Sequence, residues 1–384
     1  MKTMGDNMKN QSLKNSTTLA ALALFAALTM GPTARAQNYG PWSAPVNLNA
    51  LTQSDGITPC PDKVNSVSDD SHPAISKDGL SLFFASTRSG PDSNGQVGLG
   101  ENDLWVTQRD SLDDCWQPPK SLGTVVNSAG RDYAPNLSTD GHWLFFHSNR
   151  TQPDADGKLP CGGQDLYATH RQSKRDDFSW EAPISLGCTL NTSVDDAGPT
   201  FFEDDSTGIL YLYFTRNNKA NDPQSTFFDI YVSTCGADLD SCNTQNLWGP
   251  GTLVEALNSP FRDSRTAIRR RDGLEMIFST GRPGSLGSED LWVSTRATTQ
   301  DQNWLPPVPI NCDWLPTLFP QQYLDCLPHP PDVPHVNSTA LDGGPALSWE
   351  GTELYFSSVR TDLAGVAGGR DLYVSKRTKL TEPN

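Results

Sequence analysis

The chain has 384 residues, with 45 acidic against 29 basic side chains, a net charge of −16 and 36% hydrophobic residues. That length suits one large all-β domain or two ordinary ones. The acidic balance argues against nucleic acid and anionic membranes as partners, because there is no basic face to displace condensed counterions.

Residues 1–36 read as a secretory signal peptide. Lys2, Lys9 and Lys14 charge its start, an apolar run extends from Thr18 to Met30, and Ala34-Arg35-Ala36 is an A-x-A cleavage site. Removing its net +3 from −16 leaves residues 37–384 at −19. The run is too short for a membrane span, and no later segment approaches the roughly 20 apolar residues that a span needs. No Cys follows the run until Cys60, which disfavours a lipid anchor. The expected product is one domain, 37–384, exported to the periplasm or beyond.

All eight cysteines lie in that exported part, where disulfides persist. Spacing favours Cys235 with Cys242 and Cys312 with Cys326, and less strongly Cys161 with Cys188, leaving Cys60 and Cys115 unassigned. A zinc site is the rival use, but there is no CxxC pair and the histidines are scattered.

One pattern then recurs five times. It opens with Trp and one or two prolines at Trp42, Trp116, Trp180, Trp248 and Trp304, followed by Asn-Ser/Thr-x-x-x-Asp ending at Asp70, Asp132, Asp196, Asp263 and Asp342. Turns such as Lys77-Asp78-Gly79, Thr139-Asp140-Gly141 and Arg271-Asp272-Gly273 follow, and Asp-Gly between apolar runs is a strong hairpin signal. The next strand, for example Leu80–Ala85 or Trp143–His147, closes on Arg88, Arg150, Arg216, Arg282 or Arg360. After a variable loop comes Asp-Leu/Ile-Trp/Tyr, beginning at Asp103, Asp165, Asp229, Asp290 and Asp371.

Four short strands recurring at Asp-to-Asp intervals of 62, 64, 67 and 79 residues predict a five-bladed β-propeller. The last copy lacks its own Trp-x-x-Pro strand, so residues 42–48 are expected to supply the outermost strand of the last blade and close the ring.

The order Pro-x-x-Ser-x-Asp-Gly, apolar strand, Ser-x-Arg, then Asp-Leu-Tyr, seen from Pro135 to Tyr167, resembles the WD40-like repeat of TolB and many exported bacterial propellers. The resemblance covers nearly all of residues 42–377 and implies the fold rather than one activity, since such propellers serve as binding scaffolds and as enzyme domains. TolB has a larger propeller and an added domain, neither of which is present here.

In a propeller the five repeated aspartates, Asp70, Asp132, Asp196, Asp263 and Asp342, stand at the start of the inner strands. As a converging ring they would suit a cation such as calcium, or acid catalysis by a carboxylate of raised pKa. Strict repetition favours a structural use instead, each Asp accepting hydrogen bonds from a neighbouring turn, with the Asn five residues earlier bracing the same loop. The recurring Arg and the Asp of Asp-Leu-Tyr suit an intra-blade ion pair or a hydrogen-bonded brace at a turn, and the recurring Trp suits packing between blades.

Function is expected where the repeats differ: Asp69 and His72 in blade 1, Arg131 and Tyr133 in blade 2, Asp195 in blade 3, Arg262 and Arg265 in blade 4, with blade 5 plain. Such a rim would suit a small polar or anionic ligand gripped by Arg. The main expectation is a scaffold that binds a protein, peptide or glycan. The alternative is a carbohydrate-active enzyme. By comparison with five-bladed glycoside hydrolases of the arabinanase and invertase type, Asp70 would serve as base and Asp196 or Asp263 as acid. The sequence departs from those enzymes in lacking a distinct catalytic Glu in a unique blade. A lyase would instead draw on His72 or Tyr133 as base beside an Arg or a cation. The Pro-rich insertion between Trp304 and Asn337 is expected to project over the same face.

Overall fold

A computed structural model of the chain describes residues 39–217, 227–300, 302–310 and 335–380. The expected signal peptide, the Cys312–Cys326 pair and most of the insertion before Asn337 lie outside these residues. The described part is an all-β propeller of five four-stranded antiparallel sheets. The inner strands are Asp70–Ile75, Asp132–Leu137, Asp196–Asp204, Asp263–Ile268 and Asp342–Leu347. Each begins at the repeated Asp and is followed outward by an apolar strand, an Asp-Leu/Ile-Trp/Tyr strand and a two-residue outermost strand.

Closure occurs as the sequence implies. Val46 and Asn47 pair antiparallel with Val374 and Tyr373, so the first strand of the chain completes the last blade and removes a free sheet edge. Hairpin chemistry follows the expected residues: at Ser76-Lys77-Asp78-Gly79, Gly79 has φ +76° and donates its N–H to the Ser76 carbonyl at 3.0 Å. A left-handed residue at that corner costs glycine least.

The repeated Trp residues pack between blades. Trp180 meets Phe83 of the preceding blade edge to face at 6.1 Å, Trp248 meets Phe145 at 6.5 Å, Trp304 meets Tyr213 at 6.4 Å, and Trp116 meets Tyr355 across the closure at 6.4 Å. A second repeat element accompanies them, six residues after the third-strand Asp. Arg109, Arg171, Arg296 and Arg377 lie over Trp116, Trp180, Trp304 and Trp42 at 4.2–4.4 Å, and each donates Nε to the carbonyl of its blade's turn glycine. Blade 3 has Cys235 there instead, and its disulfide to Cys242 takes the place of the stacked guanidinium.

Among the described residues the disulfides are Cys60–Cys115, Cys161–Cys188 and Cys235–Cys242. The two cysteines unassigned from spacing thus pair with one another, because the loop before the first inner strand folds back against the outer side of the same blade.

Candidate functional site

The ring of five aspartates is built as five separate braces rather than as one converging cluster. In every blade the Asp is 0% exposed. One carboxylate oxygen accepts from the second-strand Arg, at 2.5 Å for Asp70–Arg88 and Asp132–Arg150, 2.6 Å for Asp196–Arg216 and Asp263–Arg282, and 2.8 Å for Asp342–Arg360. The other oxygen accepts from both the backbone N–H and the hydroxyl of the Ser or Thr four residues earlier, Ser66 in blade 1 and its equivalents. With its acceptor sites engaged by Arg and a turn, each carboxylate is held by its own blade. Among the described residues no group of three or more His, Cys, Asp or Glu is placed to hold a metal ion.

The structure gives the ion pair and the turn brace to different aspartates. The Arg pairs with the inner-strand Asp, and the Asp of Asp-Leu-Tyr takes the hydrogen-bonded brace, as Asp165 does from Cys161 N at 2.5 Å. The Asn of the motif braces the preceding blade: Asn127 accepts from Leu104 N and donates to Leu104 O, and Asn191 does the same with Leu166. A two-way bond of this kind mimics a strand neighbour and locks adjacent blades in register.

The inner strands share one further irregularity. Each has a bulge just after the Asp, and the residue two positions beyond it is left-handed: His72 (φ 52°), Ala134 (φ 52°), Gly198 (φ 60°), Arg265 (φ 57°) and Gly344 (φ 62°). Glycine fills this position in two blades at no steric cost. His72 and Arg265 occupy it against the preference of a residue bearing Cβ.

Those two residues face a cavity of about 240 Å³, lined also by Arg131, Tyr133, Ala134, His147, Gln164, Ala197, Gly198, Thr215, Phe228, Arg262 and Ser264. Blades 1–4 supply its walls and blade 5 leaves room. A Cβ on Gly343 would stand 3.3 Å from Arg265 Nη1, and one on Gly344 would stand 3.4 Å from the His72 Cα. At the far end of the inner strands Arg270 reaches across, donating to the carbonyls of Ile75 at 2.7 Å and Leu137 at 3.4 Å. It joins blade 4 to blades 1 and 2.

The cavity is cationic in an acidic protein. Arg131, Arg262 and Arg265 are set in its wall, and among the described residues no lining residue is Asp or Glu. Behind the wall Glu289 pairs with Arg262 at 3.2 Å and Arg265 at 3.4 Å, and Glu101 pairs with Arg131 at 3.4 Å in an exposed setting. Three positive charges are therefore offset by one sheltered and one solvent-screened carboxylate.

The histidines add no charge at neutral pH. Burial pushes the His147 ring down to about 3, with Arg131 and Arg265 adding repulsion, and burial with Arg265 holds His72 well below the usual range. His147 Nδ1 accepts from Gly198 N at 3.1 Å. His72 lies against Tyr133 with ring centroids 4.2 Å apart, Tyr133 lies edge-on to His147 at 5.5 Å, and Tyr133 Oη accepts from Ser71 Oγ at 2.9 Å. Several buried polar atoms of the wall have no hydrogen-bond partner: His72 Nδ1, Arg131 Nε and Ser264 Oγ. Each of these groups needs a partner, which a ligand or an ordered water would supply.

Of the residues singled out in the sequence, the structure brings His72, Arg131, Tyr133, Arg262 and Arg265 together in this wall. Asp69 and Asp195 lie outside it, Asp69 accepting from Arg370 N at 2.8 Å and Asp195 from the Asn217 side chain at 3.5 Å. The sequence reading missed His147, Gln164, Thr215, Phe228 and Ser264. A column comparison would have exposed His147, since it pairs with Tyr133 where the other blades place Ala85, Thr215, Ser279 and Ser357.

No family model and no curated protein matches the chain. Solved structures do. An α-L-arabinofuranosidase from Lactobacillus brevis is 14% identical over 85% of this chain and 94% of its own, with a TM-score of 0.49. An α-L-arabinofuranosidase from Podospora anserina in complex with cellotriose is 9% identical over 89% and 98%, with a TM-score of 0.46. A thermostable family-43 glycoside hydrolase is 13% identical over 84% and 93%, with a TM-score of 0.44. None of these is similar enough to assign an activity.

Proposed function

We propose that this protein is an exported propeller that binds a carboxylate-bearing glycan, a uronic-acid sugar, in the pocket at the start of its inner strands. The observation that carries the reading is the placement of His72 and Arg265 at left-handed bulge positions that two other blades fill with glycine, in a wall where Arg265 is joined by Arg131 and Arg262. Guanidinium forks suit carboxylates in bidentate geometry. The faces of Tyr133 and Phe228 suit the apolar side of a pyranose ring. The test is calorimetric titration with oligogalacturonate and with a neutral galactan oligosaccharide. Binding of the first alone, weakened by salt and by about tenfold or more in Arg265→Gly, supports the reading; equal affinity for both removes it.

We infer that residues 1–36 are a cleaved signal peptide and that 37–384 form the mature domain. Three disulfides support an oxidising destination, periplasmic or extracellular. Among the described residues no helix is long and apolar enough to cross a membrane. The order of repeat motifs supports the kinship with WD40-like, TolB-type propellers.

A carbohydrate-active enzyme is the second reading, favoured by the contact of His72 with Tyr133. Its hydrolase form would need two carboxylates flanking the scissile bond. The candidates Asp70, Asp196 and Asp263 are each engaged by Arg and a turn, and among the described residues the lining offers no other acid.

A further inference from the structure

We propose that the pocket cleaves its uronide by β-elimination, with His72 as the base that removes the C5 proton and Tyr133 as the acid that protonates the departing oxygen at C4. This rests on the carboxylate-binding reading above. The residues meet the demands of the reaction one by one. A proton next to a carboxylate is acidic enough to remove only when the carboxylate charge is offset, and Arg265, backed by Glu289 at 3.4 Å, supplies the offsetting charge within the wall.

The base must be neutral and uncommitted. His147 is neutral but has one nitrogen engaged by Gly198 N, whereas His72 lines the cavity and no hydrogen bond to a described residue ties up its ring. The acid must keep its own proton available. Tyr133 accepts from Ser71 Oγ at 2.9 Å, which leaves its O–H to donate elsewhere, and its ring touches that of His72.

In the balanced step the imidazole takes the C5 proton, the C5–H electron pair becomes the C4=C5 double bond, and the C4–O4 bond breaks with its pair leaving on oxygen. The tyrosine proton then goes to that oxygen. Proton exchange from imidazolium to phenolate, directly or through solvent, restores both groups. No water is added and nothing is oxidised, so the reaction needs neither the two carboxylates of a hydrolase nor a metal ion.

The experiment incubates residues 37–384 with 4-linked uronic-acid oligosaccharides, namely oligogalacturonate, oligomannuronate and hyaluronan tetrasaccharide. It follows the conjugated unsaturated product by ultraviolet absorbance, with binding measured in parallel by calorimetry. We expect one substrate to yield unsaturated product, and His72→Gly and Tyr133→Phe each to slow product formation by about 100-fold or more, with binding kept in Tyr133→Phe, which retains the ring. His72→Gly is a secure variant because Gly198 and Gly344 occupy the same position in other blades. Binding without unsaturated product, or elimination that survives His72→Gly, overturns the elimination and leaves the binding reading standing. Absence of binding by every uronide overturns both.

Discussion

His72 and Arg265 occupy the same position in different blades, two residues after the buried inner-strand Asp, and share a left-handed backbone with φ of 52° and 57°. A histidine and an arginine are held where glycine fits better, and both point at the same cavity. A strained backbone of this kind persists only where surrounding structure enforces it, and it concentrates at ligand sites.

Replacing either residue by glycine separates stability from binding. Arg265→Gly relieves a left-handed backbone, an effect of about 1 kcal/mol that offsets the lost contact with Glu289. Urea unfolding should show a midpoint at or above that of the parent, while affinity for the anionic ligand falls about tenfold or more. A variant less stable by several kcal/mol would mean that Arg265 is there for the fold.

The five Asp–Arg braces should be interchangeable in their cost. Asp70→Asn, Asp132→Asn and Asp342→Asn each leave a partly or fully buried guanidinium short of its partner, and each should lower stability by about 3 kcal/mol. Ligand affinity of the folded fraction should stay near that of the parent. A variant that folds normally and loses binding alone would assign its Asp to the site.

Stability should respond to pH through two opposed groups. Burial lifts Asp165 and Asp290 to about 6, with Asp196 and Asp342 of the following blade adding repulsion. Their folded-state pKa lies above the unfolded value, so this contribution is full below about pH 4 and is lost as pH rises through 6. His147, lowered to about 3, works the other way: its contribution is present above about 6.5 and is lost as pH falls through 3. The double variant Asp165→Asn/Asp290→Asn should flatten the decline of the melting midpoint between about pH 4 and 6, and His147→Gln should flatten the decline below pH 6. Unchanged profiles in both would contradict these assignments.

The Cys60–Cys115 bridge closes a loop with a sequence separation of 55. Chain-entropy arguments give such a loop about 4 kcal/mol of stabilisation, so Cys60→Ser/Cys115→Ser should show a correspondingly lower unfolding free energy. A loss below 1 kcal/mol would show that the loop is ordered without its bridge.

The architecture was legible because a propeller writes its blade five times. The Asp spacing, the Asp-Gly turns and the missing last strand identify blade number and closure, since each reports a local backbone requirement. The Arg partner was not legible, because Asp70 and Asp103 both stand opposite Ser86, two residues before Arg88, and spacing cannot separate the two. The bracing of Leu104 by Asn127 was hidden for a similar reason: a contact between blades leaves no trace in the spacing of one blade. Five of the seven rim residues chosen for ligand binding do meet in one wall. Asp69 and Asp195 do not, because the chain turns their side chains toward neighbouring loops. His147 escaped notice within an apolar strand, although its column is otherwise Ala, Thr and Ser.

The most direct test of the central claim is a crystal structure of residues 37–384 with a galacturonate oligosaccharide at saturating concentration. The account predicts the sugar carboxylate against Arg265, with the pyranose beside Tyr133 and His72. A sugar bound elsewhere on the propeller, with this cavity holding only solvent, would contradict it.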